Sequence, residues 1–124
     1  MKSMKFISAA FIALSVLIFA VTAEAYRVEI IPADPADAEY SMKLNEEIAF
    51  VAKAYHGEEK SEADEEMPIG RIFWQFDYSY LQMINSDGKT IRLKAIKEGR
   101  VDLMVTGIVE NYPFTKSIVV TIEK

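Results

Sequence analysis

The sequence predicts an all-β domain, a sandwich or small barrel of about seven short strands. Three observations predict it. From residue 26 onward, apolar residues recur mostly with period two, the spacing that places alternate side chains on one face of a strand. Turn-forming Gly, Pro, Asn and Asp interrupt the pattern at intervals of about 8 to 12 residues. No helical periodicity survives outside residues 1–25, which disfavours folds that alternate strands with helices.

The elements follow in order. Arg27-Val28-Glu29-Ile30 alternates, with Val28 and Ile30 on one face. Pro32 and Pro35 break that strand, because proline supplies no backbone donor to a ladder, and residues 33–39 read as a loop. Tyr40-Ser41-Met42 forms a short edge strand, and Asn45 is a turn residue. In residues 47–55, Ile48, Phe50, Ala52 and Ala54 oppose Ala49, Val51, Lys53 and Tyr55. Ala, Glu and Lys also suit a helix there, but Phe50, Val51 and Tyr55 favour a strand. Residues 56–68 carry Glu58, Glu59, Glu62, Asp64, Glu65 and Glu66 against Lys60, and read as an exposed loop.

Residues 71–77 alternate again, with Ile72, Trp74 and Phe76 on one side. Residues 81–84 are a short strand, and Asn85-Ser86-Asp87-Gly88 a turn, since Asp-Gly tolerates positive φ. Residues 90–96 present Ile91, Leu93 and Ala95, and Lys97-Glu98-Gly99 turns the chain. Val101, Leu103 and Val105 then alternate with Asp102, Met104 and Thr106. A connection through Pro113 leads to a last strand carrying Ile118, Val120 and Ile122. The expected core is Trp74, Phe50, Ile72, Leu93, Leu103 and Val120.

The start of the chain predicts export. Lys2 and Lys5 form a basic beginning, residues 6–21 are uncharged and mostly apolar, and Ala23-Glu24-Ala25 offers small residues where a signal peptidase reads. The apolar run is shorter than the roughly 20 residues of a spanning helix. Residues 1–25 are therefore expected to be a cleavable signal peptide, with no stable membrane span after cleavage. Residues 26–124 are one domain by length. The expected compartment is periplasmic, extracellular or cell-surface.

Composition narrows the function. The chain contains no Cys, so disulfides, zinc–cysteine sites and cysteine nucleophiles are excluded. The formal net charge is −5, without a basic cluster, which argues against nucleic acid as a partner. His56 is the only histidine, and it stands beside Gly57 at the head of the polar loop, a poor place for a rigid catalytic base. Glu62, Asp64 and Glu66 are suitable in type for weak Ca²⁺ binding, but no EF-hand spacing accompanies them, and a solvated charge run is the simpler reading. Neither a cofactor nor a catalytic residue is expected.

Residues 74–107 read WQFDYSYLQMINSDGKTIRLKAIKEGRVDLMVTG. This stretch resembles the bacterial immunoglobulin-like domains, group 2, which also occur in intimin- and invasin-type surface proteins. The resemblance lies in Trp74, Met83-Ile84, Asp87-Gly88, Leu93-Lys94-Ala95, Lys97-Glu98-Gly99 and residues 101–106. It extends back to residues 28–30 and 50–54 and forward to 117–122. Gln75 and Phe76 depart from the small polar residues expected after the Trp, and Asn45 stands where a Gly is usual. The resemblance implies an immunoglobulin-like β-sandwich, placement outside the cytoplasm, a binding or spacer role, and no catalytic residues.

Trp74 is expected in the core, in phase with Ile72 and Phe76. The placement of Phe73, Tyr78 and Tyr80 stays open. Binding residues on a sandwich usually sit on its loops. The segment Asn111-Tyr112-Pro113-Phe114 therefore makes Tyr112 and Phe114 the candidate ligand-binding residues. The expected function is a non-enzymatic binding module for a protein or surface glycan. The alternative is a structural subunit that joins an envelope assembly through an exposed edge strand.

Overall fold

The computed structural model describes residues 26–57 and 65–124 of the chain. The expected signal peptide, and Glu58, Glu59, Lys60, Glu62 and Asp64 of the acidic interval, lie outside the described residues.

The described residues form nine strands: β1 (Tyr26–Ile31), β2 (Glu39–Lys43), β3 (Glu47–His56), β4 (Glu66–Met67), β5 (Gly70–Gln75), β6 (Leu81–Ser86), β7 (Thr90–Ala95), β8 (Gly99–Val109) and β9 (Tyr112–Glu123). Two sheets pack face to face as a β-sandwich. One runs β1-β3-β7-β6, with β4 also paired to β3; the other runs β2-β9-β8-β5. All pairings are antiparallel except β2 with β9, which is parallel.

The number of strands exceeds the seven or so expected. Part of the excess is β4, inside the interval read as a loop. Glu66 and Met67 pair with Tyr55 and Ala54; ladder hydrogen bonds are made by the backbone and need no apolar pattern to announce them. His56 closes β3 rather than opening a loop. The turn expected over residues 85–88 begins later, because Asn85 and Ser86 still pair with Arg92 and Ile91.

The expected connection through Pro113 is incorrect. The turn is Glu110-Asn111, with φ of 47° and 72°, and Pro113 lies inside β9. A two-residue hairpin with positive φ at both central positions matches the twist of its strands. Pro113 is tolerated by parity. Val109 and Tyr112 flank the turn, so the next pair, Ile108 with Pro113, is a non-hydrogen-bonded one. The missing N–H then points away from β8, toward an edge that β2 reaches only from Val119 onward.

Alternation puts Ile30, Phe50, Ala52, Ile91, Leu93 and Ala95 on the inner face of the first sheet, and Met42, Trp74, Leu103, Val105, Ile118 and Val120 on that of the second. Of the expected core, Phe50, Trp74, Leu93, Leu103 and Val120 are buried, while Ile72 is half-buried and packs against them. Residues 32–38 carry the chain between sheets; Val119 N–H donates to the Ala38 carbonyl at 2.9 Å as β2 joins β9.

Gly107 closes one end of the core. A Cβ there would meet Ile69 Cγ2 and Phe114 Cε2, each at 2.8 Å. The bare backbone lets Phe114, its cross-strand partner, lie down over the sheet.

Candidate functional site

The strand directions gather four segments at one end of the sandwich. They are the start of β1 at Tyr26, the end of β3 at His56, the β6–β7 turn and the Glu110-Asn111 hairpin. Segments of this kind hold side chains on a rigid scaffold without burying them.

Tyr26 organises one side of this end. Its hydroxyl donates to Glu110 Oε2 at 2.7 Å. Its ring lies 5.4 Å from that of His56, tilted by 35°, and 5.7 Å from that of Tyr112, tilted by 42°. The edge strand of one sheet is thereby tied to the hairpin of the other. The Tyr26 hydroxyl is pushed up to about 12, first because Glu110 accepts its proton in a hydrogen bond, then through desolvation and the Glu110 charge. A phenolate would have nothing to donate and would face a carboxylate.

The two candidate binding residues therefore part company. Both lie on the inward side of β9, two residues apart. Phe114 is the last ring above the core and is half-buried against Gly107. Tyr112 stands one step beyond the core, 47% exposed, and meets Tyr26 instead. Sequence reading did not single out Tyr26 or Glu110 as site residues. They are 84 positions apart, and no local pattern joins them.

The opposite side of the same end holds an open cleft of about 430 Å³ between the start of β5 and the β6–β7 turn. Arg71 and Lys89 border it. Lys89 Nζ pairs with Glu66 at 2.8 Å, and the Trp74 indole N–H donates to the Gly88 carbonyl at 2.6 Å.

The remaining aromatics fall elsewhere. Phe73 and Tyr78 are exposed, at 59% and 68%. Tyr80 packs against the core, with Lys97 Nζ 4.8 Å from its ring centre and its edge under Gly99. Asp77 is held below the usual carboxylate range, chiefly by the Ser79 hydroxyl, then the Ser79 N–H and nearby Lys97. Among the described residues no group of three or more His, Asp or Glu is arranged to hold a metal ion. Of the carboxylates considered for Ca²⁺, Glu62 and Asp64 lie outside the described residues, and Glu66 pairs with Lys89. No described helix is long and apolar enough to cross a membrane.

Neither a scan against protein-family models nor a search of curated proteins returned a match.

Proposed function

We propose that this chain is an exported, non-catalytic binding module of immunoglobulin-like architecture, and that it contacts a protein or surface glycan through the Tyr26–His56–Tyr112 end. The observation that carries this reading is an aromatic cluster in which exposed His56 and Tyr112 flank half-buried Tyr26, locked by the Tyr26–Glu110 hydrogen bond. Aromatic rings held in place before contact give area at small entropic cost, and they dominate binding surfaces for that reason. Export is supported by Lys2, Lys5, the apolar run and Ala23-Glu24-Ala25.

The immunoglobulin-like assignment is supported by strand order. Taking β1, β3, β5, β6, β7, β8 and β9 as strands A to G, one sheet is ABED and the other holds CFG, the constant-type arrangement. The active end is then the one where immunoglobulin variable domains carry B–C and F–G loops. The non-catalytic reading is supported by the lack of Cys and by His56 lying exposed against Tyr26.

The test is affinity capture with the intact exported protein, from the envelope of the producing cell and from candidate target surfaces. Tyr112→Ala is expected to lose the captured species, and Phe73→Ala, on the outer face of β5, to keep it. Equal capture by both variants and wild type refutes this surface. The envelope-subunit reading has its own observation: β6 is an edge strand that exposes Met83 and Ile84, at 47% and 42%. Concentration-dependent self-association that Met83→Lys abolishes would favour it.

A further inference from the structure

Among the described residues, five other than glycine adopt positive φ: Ala38, Asn45, Arg71, Glu110 and Asn111. Four of them serve turns. Arg71, with φ 51°, sits inside a strand, at the irregularity between Gly70 and Phe73 where the β5–β8 register shifts. A left-handed backbone at a bulky residue is unfavourable and persists only where the surroundings enforce it. Bulges of this kind redirect a side chain. Here Arg71 borders the cleft, and none of the ion pairs formed among the described residues involves it.

The opposite wall carries Lys89 and Asp87. The Asp87 Oδ1 accepts from the Thr90 N–H at 3.0 Å, which fixes the turn. Ile69 and Ile72 add an apolar surface. The lining thus combines two cations, a carboxylate acceptor and an apolar wall. A bare anion satisfies only the cations and is repelled by Asp87. An extended peptide adding to β5 meets the register shift at Arg71, which interrupts a strand edge. A sugar ring bearing a carboxylate answers each group: its carboxylate to Arg71 and Lys89, hydroxyls to Asp87, and a C–H face to the isoleucines.

We propose that this cleft is a binding subsite for an acidic saccharide of the uronic acid class. The subsite goes beyond the aromatic surface, because it lies on the other side of the same end and names a ligand chemistry. It does not rest on Tyr112.

The single Trp of the chain reports on the cleft, since Trp74 is bonded to Gly88 in its wall. Intact exported protein is titrated with digalacturonate, following Trp74 fluorescence and heat. Saturable binding is expected below about 10 mM. Arg71→Gly removes the guanidinium while easing the left-handed backbone, so it is expected to fold with an unchanged or higher melting temperature and to weaken binding about tenfold or more. Arg71→Asn, which also tolerates positive φ, is the second variant and should behave alike. Lys89→Gln should weaken binding less, because Glu66 already shares that ammonium. Tyr112→Ala should leave it unchanged, which separates this subsite from the aromatic surface. No saturable signal, or binding by both folded Arg71 variants within about twofold of wild type, overturns the proposal. Equal affinity for the neutral digalactoside, for acetate or for a glutamate-rich peptide overturns the saccharide assignment.

Discussion

Trp74 Nε1 donates to the Gly88 carbonyl at 2.6 Å, so one hydrogen bond runs from the edge strand of one sheet to a turn of the other. β5 and β6 lie at the edges of their sheets and share no ladder, which leaves the indole as a polar link between them. Trp74→Phe keeps a ring in the core and removes the donor, leaving a part-buried carbonyl without its partner. The expected cost is about 2 kcal/mol. Urea unfolding should show a lower midpoint at an unchanged slope. A midpoint equal to wild type would refute the role given to this bond.

Gly107 and Phe114 form a second pair whose coupling can be measured. Gly107→Ala places a methyl 2.8 Å from the Phe114 ring and from Ile69. The overpacking should cost about 1–3 kcal/mol. In a Phe114→Ala background the ring contact disappears, and the same change should cost distinctly less. Equal costs in both backgrounds, read from a double-mutant cycle, would show that Phe114 does not lie over Gly107.

Tyr26 makes stability depend on alkaline pH. Its hydroxyl is pushed up to about 12 in the folded chain, above the ordinary tyrosine value of about 10. A group raised on folding contributes fully below its unfolded value, and the contribution fades as pH rises through the folded one. The Tyr26–Glu110 link should therefore be intact below about pH 10 and lost toward about pH 12. Glu110→Gln removes the carboxylate and should bring the hydroxyl back toward the ordinary range. Phenolate absorbance during an alkaline titration, wild type against Glu110→Gln, checks this. Superimposable curves would sink it.

The Glu110-Asn111 turn requires the left-handed region at both positions. Asn111→Gly should be neutral or slightly stabilising, whereas Asn111→Val, branched at Cβ with φ near 72°, should cost about 1–2 kcal/mol. Thermal melts of the two variants separate these outcomes. Indistinguishable melting temperatures would contradict the turn geometry.

What was legible in the sequence is what period-two alternation encodes. Phe50, Leu93, Leu103 and Val120 were readable as core because each sits in a run where every second residue is apolar. Trp74 was readable for the same reason, and so was the Asp87-Gly88 turn. The β4 pairing is not legible, because Glu66 and Met67 join β3 through backbone hydrogen bonds that need no side-chain pattern. The hairpin tip is not legible, because Pro113 resembles a breaker and only ladder parity shows why it is tolerated.

The candidate site was legible at one residue in its cluster. Tyr112 is legible from its neighbourhood, whereas Tyr26 and Glu110 come to this end through strand order. Phe114, two residues from Tyr112, is drawn down by the space over Gly107, a contact between strands that no local motif records.

By itself, then, the sequence determined an all-β chain, its main strands and most of its core, because side-chain alternation is a local property of an extended backbone. Tertiary structure alone decided which strands share a sheet, which rings meet at the Tyr26 end and where Arg71 borders a cleft. Those depend on pairing between distant segments and on one left-handed residue in β5, and neither leaves a periodic trace in the order of the amino acids.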